Sequence, residues 1–76
     1  MSELVFYTTP MCQLCKPIKN AIIAGNYNIN IRICDDIVEM SHNLIRSVPA
    51  LKKLDGTIAV GAKQVTAYLE EWEIGQ

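Results

Sequence analysis

A change of hydrophobic period near residue 12 is the feature that most limits what this chain folds into. Residues 4–7, Leu-Val-Phe-Tyr, form a short continuous apolar run that suits a buried strand, and Thr8-Thr9-Pro10 ends it. Beyond Cys12 the apolar residues take the spacing of one helical face, which Gly25-Asn26 closes. The sequence therefore predicts a strand, a loop and a helix, with the buried face of the helix formed by Leu14, Ile18, Ala21, Ile22 and Gly25.

Pro17 falls inside this predicted helix. If Cys12 is the N-cap residue, the missing N–H of Pro17 removes the hydrogen bond to the Gln13 carbonyl oxygen. We therefore expect an irregular first turn.

The next segment has the two-residue period of a strand. Ile29, Ile31 and Ile33 alternate with Asn30 and Arg32, which predicts one buried face. Because a helix intervenes between the two strands, they are expected to pair in parallel. The first half of the chain is thus predicted to be a β-α-β unit.

A second, short helix is predicted after this unit. Asp36 and Glu39 have the spacing of a capping box, in which each side chain caps a backbone N–H of the other residue. Ile37, Met40 and Leu44 form the expected buried stripe, and the helix is expected to end near Arg46-Ser47.

The last third of the chain predicts a hairpin and a closing helix. Residues 50–54 and 57–60 read as two strands joined by a two-residue link, Asp55-Gly56. Val65, Leu69 and Trp72 then recur at helical spacing. The predicted fold class is α/β, with the order β-α-β-α-β-β-α, a four-stranded mixed sheet and helices on both faces.

The composition describes one small domain. With 76 residues the chain is long enough for one core and too short for two, so a single domain, 1–76, is predicted. No apolar run approaches the roughly 20 residues of a membrane span. The formal net charge of −1 offers no basic surface for nucleic acid or anionic lipid. We expect a soluble monomer with no nucleic-acid partner and no membrane partner.

The cysteine pattern argues against a secreted, disulfide-rich framework. There are three cysteines, an odd number, and two of them are only three residues apart. The first dozen residues contain no basic segment followed by a long apolar stretch, so no signal peptide is expected. A cytoplasmic location follows as the expectation.

Cys12-Gln13-Leu14-Cys15 carries the chemistry that the sequence predicts. At a helix start the unpaired N–H groups and the positive end of the helix dipole favour an anion, so the Cys12 thiol is expected to ionise readily and act as the nucleophile. Cys15, one turn further, is placed to attack a mixed disulfide on Cys12. Lys16 adds a positive charge nearby.

Two other interpretations of this pair stay open. Zinc also uses the Cys-x-x-Cys spacing, although the only further candidate ligands, Cys34 and His42, do not form a second pair. The alternative function is therefore a binding module that holds zinc or an iron–sulfur cluster through Cys12, sometimes bridged between two chains. A non-catalytic adaptor that merely keeps the fold is the third. Cys34 itself is expected in the core.

Ser47-Val48-Pro49 is the second notable motif, and it lies just before a predicted strand. Together with residues 7–15, Tyr-Thr-Thr-Pro-Met-Cys-Gln-Leu-Cys, it resembles the glutaredoxin branch of the thioredoxin-fold oxidoreductases. That branch includes the short hydrogen donors of ribonucleotide reductase. The resemblance runs from Leu4 to Trp72. It implies a thioredoxin-like fold and a dithiol enzyme that reduces protein or glutathione mixed disulfides.

The resemblance also implies roles for single residues. Cys12 attacks, Cys15 resolves, and Pro49 is cis and faces the active site, while Val48 offers its backbone amide and carbonyl to the substrate. The residues expected to bind substrate are Thr9, Met11, Gln13, Val48 and Pro49. Tyr7 is expected either in the core or as an exposed ring that flanks a bound peptide. No metal site and no bound cofactor are expected.

The electron source is left with two candidates. Glutathione-using members typically carry Cys-Pro-Tyr-Cys, a lysine three residues before the first cysteine, and a Gly-Gly segment leading to an aspartate. Here those places are Gln13-Leu14, Thr9, and residues 61–64, Gly-Ala-Lys-Gln. Members recycled by a flavoprotein of the thioredoxin-reductase type use a variable pair such as Gln-Leu between the cysteines. Glutathione or such a reductase is therefore expected as the electron source.

Overall fold

Within residues 3–74, four strands and three α-helices follow one another in the predicted order. The computed structural model describes residues 3–74, so the ends of the predicted domain, at 1 and 76, lie outside the described residues. The elements are the strands β1 (Glu3–Tyr7), β2 (Asn30–Cys34), β3 (Ala50–Lys52) and β4 (Ile58–Val60), the helices α1 (Cys15–Ile23), α2 (Ile37–His42) and α3 (Ala62–Leu69), and a final 3₁₀ turn (Glu70–Trp72).

The sheet is mixed and has the order β2-β1-β3-β4. Strand β1 pairs in parallel with β2, as the intervening helix α1 requires, with Tyr7 opposite Cys34. On its other side β1 pairs antiparallel with β3, and Tyr7 also lies opposite Ala50. Strand β4 completes the sheet antiparallel to β3. The predicted α/β class and the four-stranded mixed sheet are confirmed.

The two faces of the sheet bury two separate apolar clusters, because side chains alternate along β1. Leu4 and Phe6 face α1 and α3, and they pack with Cys15, Ile18, Leu51, Ala59, Val65 and Leu69. Val5 and Tyr7 face the other side, where they pack with Cys34, Met40, Ile45 and Ala50. Helices therefore cover both faces, as predicted.

Helix α1 begins later than the sequence suggested, at Cys15, with Leu14 as its N-cap residue. Cys12 is thus not the N-cap residue, and Leu14 is 63% exposed instead of buried. The late start accommodates Pro17, which becomes the third helical residue, where an N–H has no partner within the helix. The Gln13 carbonyl oxygen accepts instead from the Lys16 N–H at 3.3 Å.

The end of α1 matches the predicted stop. Gly25 has φ +78°, which a residue with a side chain rarely adopts. Its N–H donates to the Ile22 carbonyl oxygen at 3.1 Å, and the Asn26 N–H donates to that of Ala21 at 3.2 Å. These two bonds form a Schellman motif, which satisfies carbonyl groups that the last turn would leave unpaired.

Helix α2 is the element that the sequence predicted least well. Its N-cap is Asp36, as predicted, and the Asp36 carboxylate accepts the Val38 N–H at 2.9 Å. The reciprocal half of the capping box is absent, because the Glu39 carboxylate binds Arg32 and Tyr7 instead.

The predicted buried stripe of α2 is also wrong in two positions. The helix ends at His42, well before Arg46-Ser47. Leu44 adopts φ +60° and is 81% exposed, and Ile37 is 75% exposed. A helix of six residues has only about one and a half turns, so it presents one buried position, Met40. Ile45 fills the core in place of Leu44.

The hairpin is confirmed, with a longer turn than predicted. The last bond of the ladder joins the Lys53 N–H to the Thr57 carbonyl oxygen at 2.8 Å, so residues 54–56 form the turn and Gly56 adopts φ +89°. A three-residue turn with glycine in the left-handed region is a common hairpin geometry. Val65 and Leu69 of α3 are buried as predicted, and Trp72 packs against them. Among residues 3–74, no helix combines the length and apolar character needed to cross a bilayer.

Candidate dithiol site

Cys12 and Cys15 form a disulfide at the edge of the sheet where β1 ends. Their Cα atoms are 5.3 Å apart. Two consecutive turns hold this loop in place, since the Cys12 N–H donates to the Thr9 carbonyl oxygen at 3.1 Å and the Lys16 N–H donates to that of Gln13. The pair is thus fixed between the first strand and the first helix.

The two sulfur positions differ in environment. Cys15 is 1% exposed and belongs to the core under α1, whereas Cys12 is only half-buried. The backbone N–H of Cys15, the first helical residue, donates to Cys12 Sγ at 3.2 Å. Solvent and partners therefore reach Cys12, and a hydrogen-bond donor is already directed at its sulfur.

Val48 and Pro49 lie at the same edge. Tyr7 pairs with Ala50, so the chain just before β3 runs beside the chain just after β1. The Val48–Pro49 bond is cis, as the resemblance implied. Pro49 is buried, and its carbonyl oxygen accepts the Gly61 N–H at 2.9 Å. Val48 is half-buried and packs against both apolar clusters.

A small cleft of about 140 Å³ opens beside the disulfide. Of the residues predicted to bind substrate, it includes Thr9, while Met11 is 88% exposed and Gln13 is exposed on the loop above. Val48 and Pro49 do not line it. The cleft is formed by Thr8, Thr9, Pro10, Cys12, Cys15, Lys16, Lys19 and Asp35.

Sequence reasoning missed Lys19 and Asp35. Lys19 follows Lys16 by three residues, so helical spacing alone places both lysines on one face of α1. Asp35 follows directly after β2, and the parallel register puts the ends of β1 and β2 side by side. Those two patterns are the signals that predict the cleft.

Tyr7 is in the core and does not flank the disulfide. It is 1% exposed and lies on the face of the sheet covered by α2, whereas Cys15 lies on the opposite face. Its hydroxyl donates to the Glu39 carboxylate at 3.2 Å. Burial, and then this hydrogen bond and the charge of Glu39, raise the pKa of Tyr7 to about 12.

Glu39 is held by two donors. The Arg32 guanidinium contacts both carboxylate oxygens, at 2.7 and 3.3 Å, in addition to the Tyr7 hydroxyl. The Arg32 hydrogen bond, followed by that of Tyr7, lowers the pKa of Glu39. This network joins β1, β2 and α2 on the face away from the disulfide.

The structure brings no ligand set together around the other candidate metal ligands. Cys34 is a free thiol buried in the cluster under α2, as expected for a core cysteine, and His42 is exposed at the end of that helix. Within residues 3–74, no three side chains of His, Cys, Asp or Glu come together as a metal-binding group.

A larger hollow of about 550 Å³ lies at the opposite edge of the sheet, where β2 begins. Tyr27, Leu54 and Trp72 line it together with residues 28–30. None of the residues that line this hollow is a cysteine, so it does not compete as a dithiol site.

Comparison with protein families, with curated proteins and with solved structures found no match to this chain.

Proposed function

We propose that the protein is a small thiol-disulfide oxidoreductase of the glutaredoxin kind, with a thioredoxin-like fold, that reduces protein or glutathione mixed disulfides. One observation carries this proposal: a cysteine pair at a strand-to-helix junction, closed as a disulfide, with Cys12 accessible and Cys15 buried. A purely structural disulfide gains nothing from leaving one sulfur half-exposed beside a cleft.

The reaction needs only the two thiols and balances as follows. The Cys12 thiolate attacks one sulfur of the substrate disulfide, forms a mixed disulfide and releases the first substrate thiol, which takes a proton. Cys15 then loses its proton and attacks Cys12 Sγ, which restores the internal disulfide and releases the second substrate thiol. Two electrons pass from the dithiol to the substrate.

The local geometry favours Cys12 as the attacking group. A thiolate at this position accepts the Cys15 N–H and lies near the positive end of the α1 dipole. Cys15 lacks this access, because it is 1% exposed. The order of attack is therefore set by which sulfur a substrate reaches first.

The remaining surface at this edge suits an extended substrate. The backbone N–H and C=O of Val48 make no hydrogen bond to any other of residues 3–74. A substrate strand that paired with Val48 would satisfy both groups. Met11 and Leu14 project into solvent on the loop around Cys12, where they offer apolar contacts.

Serine substitutions test the proposal directly. Cys12→Ser should abolish reduction of a disulfide substrate. Cys15→Ser should stop at the mixed disulfide, which mass spectrometry detects as a covalent adduct on Cys12. Cys34→Ser is the matched control, since that thiol is buried on the other face, and it should keep full turnover. Full turnover by Cys12→Ser would overturn the proposal.

The electron source is the second part of the proposal. Regeneration of the dithiol requires either two molecules of glutathione, which become oxidised glutathione, or a flavoprotein reductase of the thioredoxin-reductase type. Consumption of NADPH with one disulfide substrate is measured through glutathione and glutathione reductase and, in parallel, through thioredoxin reductase. Activity in only one assay assigns the donor. Activity through the flavoprotein also supports the role of a cytoplasmic hydrogen donor to ribonucleotide reductase.

A further inference from the structure

The cleft beside the disulfide has two lysines in its lining, Lys16 and Lys19. Cys12 and Cys15 lie beside them, and among the described residues that line the cleft Asp35 alone is acidic. Among residues 3–74, neither lysine forms an ion pair, and both are exposed. Two ammonium groups against one carboxylate leave the cleft with an excess of one positive charge.

We propose that Lys16 and Lys19 make the enzyme prefer disulfides in acidic polypeptide segments, with a substrate carboxylate seated in this cleft. The preference among disulfide substrates rests on the proposed function. Binding of the carboxylate in the cleft does not, because the oxidised protein binds it without any reaction.

The spacing defines where the acidic residue must lie. A helix rises about 1.5 Å per residue, so two lysines three positions apart are about 4.5 Å apart along the α1 axis. The cleft reaches both of them and Cys12 at once. A carboxylate bound there belongs to a residue close in sequence to the substrate cysteine.

The neighbouring surface indicates a polypeptide as the occupant. Met11, which is 88% exposed, and Leu14, which is 63% exposed, belong to the same loop as Cys12. A small acidic thiol fills the cleft and leaves these side chains in water. A peptide segment reaches past the cleft and covers them, which adds apolar burial to the ionic contact.

Matched peptide disulfides test the preference. Reduction is measured for a peptide with glutamates flanking the cysteine, for the same peptide with glutamines, and for a small acidic disulfide. Wild type should have a kcat/KM about tenfold higher for the acidic than for the neutral peptide, with a smaller gain for the small acidic disulfide. Lys16→Gln and Lys19→Gln should each reduce that ratio about threefold, because exposed ion pairs are individually weak.

Two further variants make the charge argument specific. Lys53→Gln removes one positive charge from the last paired position before the β3–β4 turn, outside the cleft, and should leave the ratio unchanged. Asp35→Asn removes the only negative charge in the cleft and should raise the ratio. Equal ratios in wild type and in the Lys16→Gln/Lys19→Gln double variant would overturn the inference.

A binding measurement separates this inference from the proposed function. The acidic and neutral peptides, each with serine in place of cysteine, are titrated into the oxidised protein and followed by the amide NMR signals of Thr9, Lys16 and Lys19. The acidic peptide should shift these signals and the neutral one should not. Shifts without any disulfide reduction would overturn the proposed function alone, and reduction without selective shifts would overturn the inference alone.

Discussion

The backbone N–H of Cys15 donates to Sγ of Cys12 at 3.2 Å, while the side chain of Cys15 is 1% exposed. Cys15 therefore donates a hydrogen bond to the sulfur of Cys12, and its own buried sulfur is accessible to Cys12 alone. The asymmetry comes from the start of α1, because the N–H groups of a first turn have no acceptor within the helix. It leads to a prediction about thiol reactivity.

In the fully reduced protein, Cys12 should react with iodoacetamide well before Cys15 or Cys34. The thiolate is the reactive form, and only Cys12 combines access with a donor directed at its sulfur. Mass spectrometry after short exposure at pH 7 measures the order. In urea, where the fold is lost, the three thiols should react at similar rates. Earlier labelling of Cys34 in the folded protein would contradict this account.

Met11 and Leu14 should matter for protein substrates and not for small ones. Replacing both with serine removes the exposed apolar side chains beside Cys12, and KM for a protein disulfide should rise about fivefold, which corresponds to about 1 kcal/mol of lost apolar contact. Steady-state kinetics measure KM separately for a protein disulfide and for a neutral small disulfide. Ile37→Ser with Leu44→Ser is the control, since these residues are also largely exposed and lie outside the cysteine loop. An equal effect of the two pairs would count against a role for the loop.

Tyr7 should make stability sensitive to alkaline pH. Its pKa is raised from 10.0 to about 12, so its contribution to the free energy of unfolding is intact below pH 10 and lost as the pH rises to 12. Tyr7→Phe removes the hydroxyl that binds Glu39 and should cost about 1 kcal/mol at pH 7. Urea unfolding at a series of pH values should show the difference between the two proteins shrinking above pH 10. A constant difference would mean that folding does not raise the pKa of the Tyr7 hydroxyl.

Gly25→Ala should destabilise the fold by about 1 kcal/mol, because an alanine at φ +78° strains the backbone. A Cβ atom at this position would meet nothing within 4 Å, so the cost is conformational and not steric. Asn20→Ala, at an exposed position inside α1, should be neutral or slightly stabilising. Thermal unfolding of the two variants gives the comparison, and a neutral Gly25→Ala would show that the Schellman motif is dispensable.

The sequence predicted the elements whose signals are local. These elements depend mainly on neighbouring residues in the chain. Examples are the apolar run at residues 4–7, the alternation of Ile31 and Ile33, and the turn glycine Gly56. The structure adds which face each residue of β1 takes, with Leu4 and Phe6 on one side of the sheet.

The wrong predictions concern helix ends and the burial of residues that depends on tertiary packing. Ile37 and Leu44 have helical spacing, yet α2 is too short to bury them, and nothing in the local sequence reveals that Ile45 fills the core instead. The start of α1 shifted because Pro17 fits best where no N–H partner is needed. Helix ends depend on such local accommodation and are hard to place from a pattern alone.

The candidate site was predicted as a cysteine pair, and its surroundings were not. The spacing of Cys12 and Cys15 marked the pair, and the structure joins the two residues in a disulfide. Asp35 and Lys19 line one cleft because β1 and β2 end side by side, a consequence of the predicted parallel pairing that the sequence analysis did not draw.

The central place of β1 has a consequence for how the chain acquires its structure during synthesis. The first strand to be made pairs with two partners that come much later, around residues 30–34 and 50–52. Until both exist, its two apolar faces and both of its edges lack cover. At translation rates of about 5–20 residues per second, that exposure lasts several seconds. The sheet around β1 therefore cannot close until the residues of β3 have been made, and folding of this segment waits for a partner that lies far along the chain.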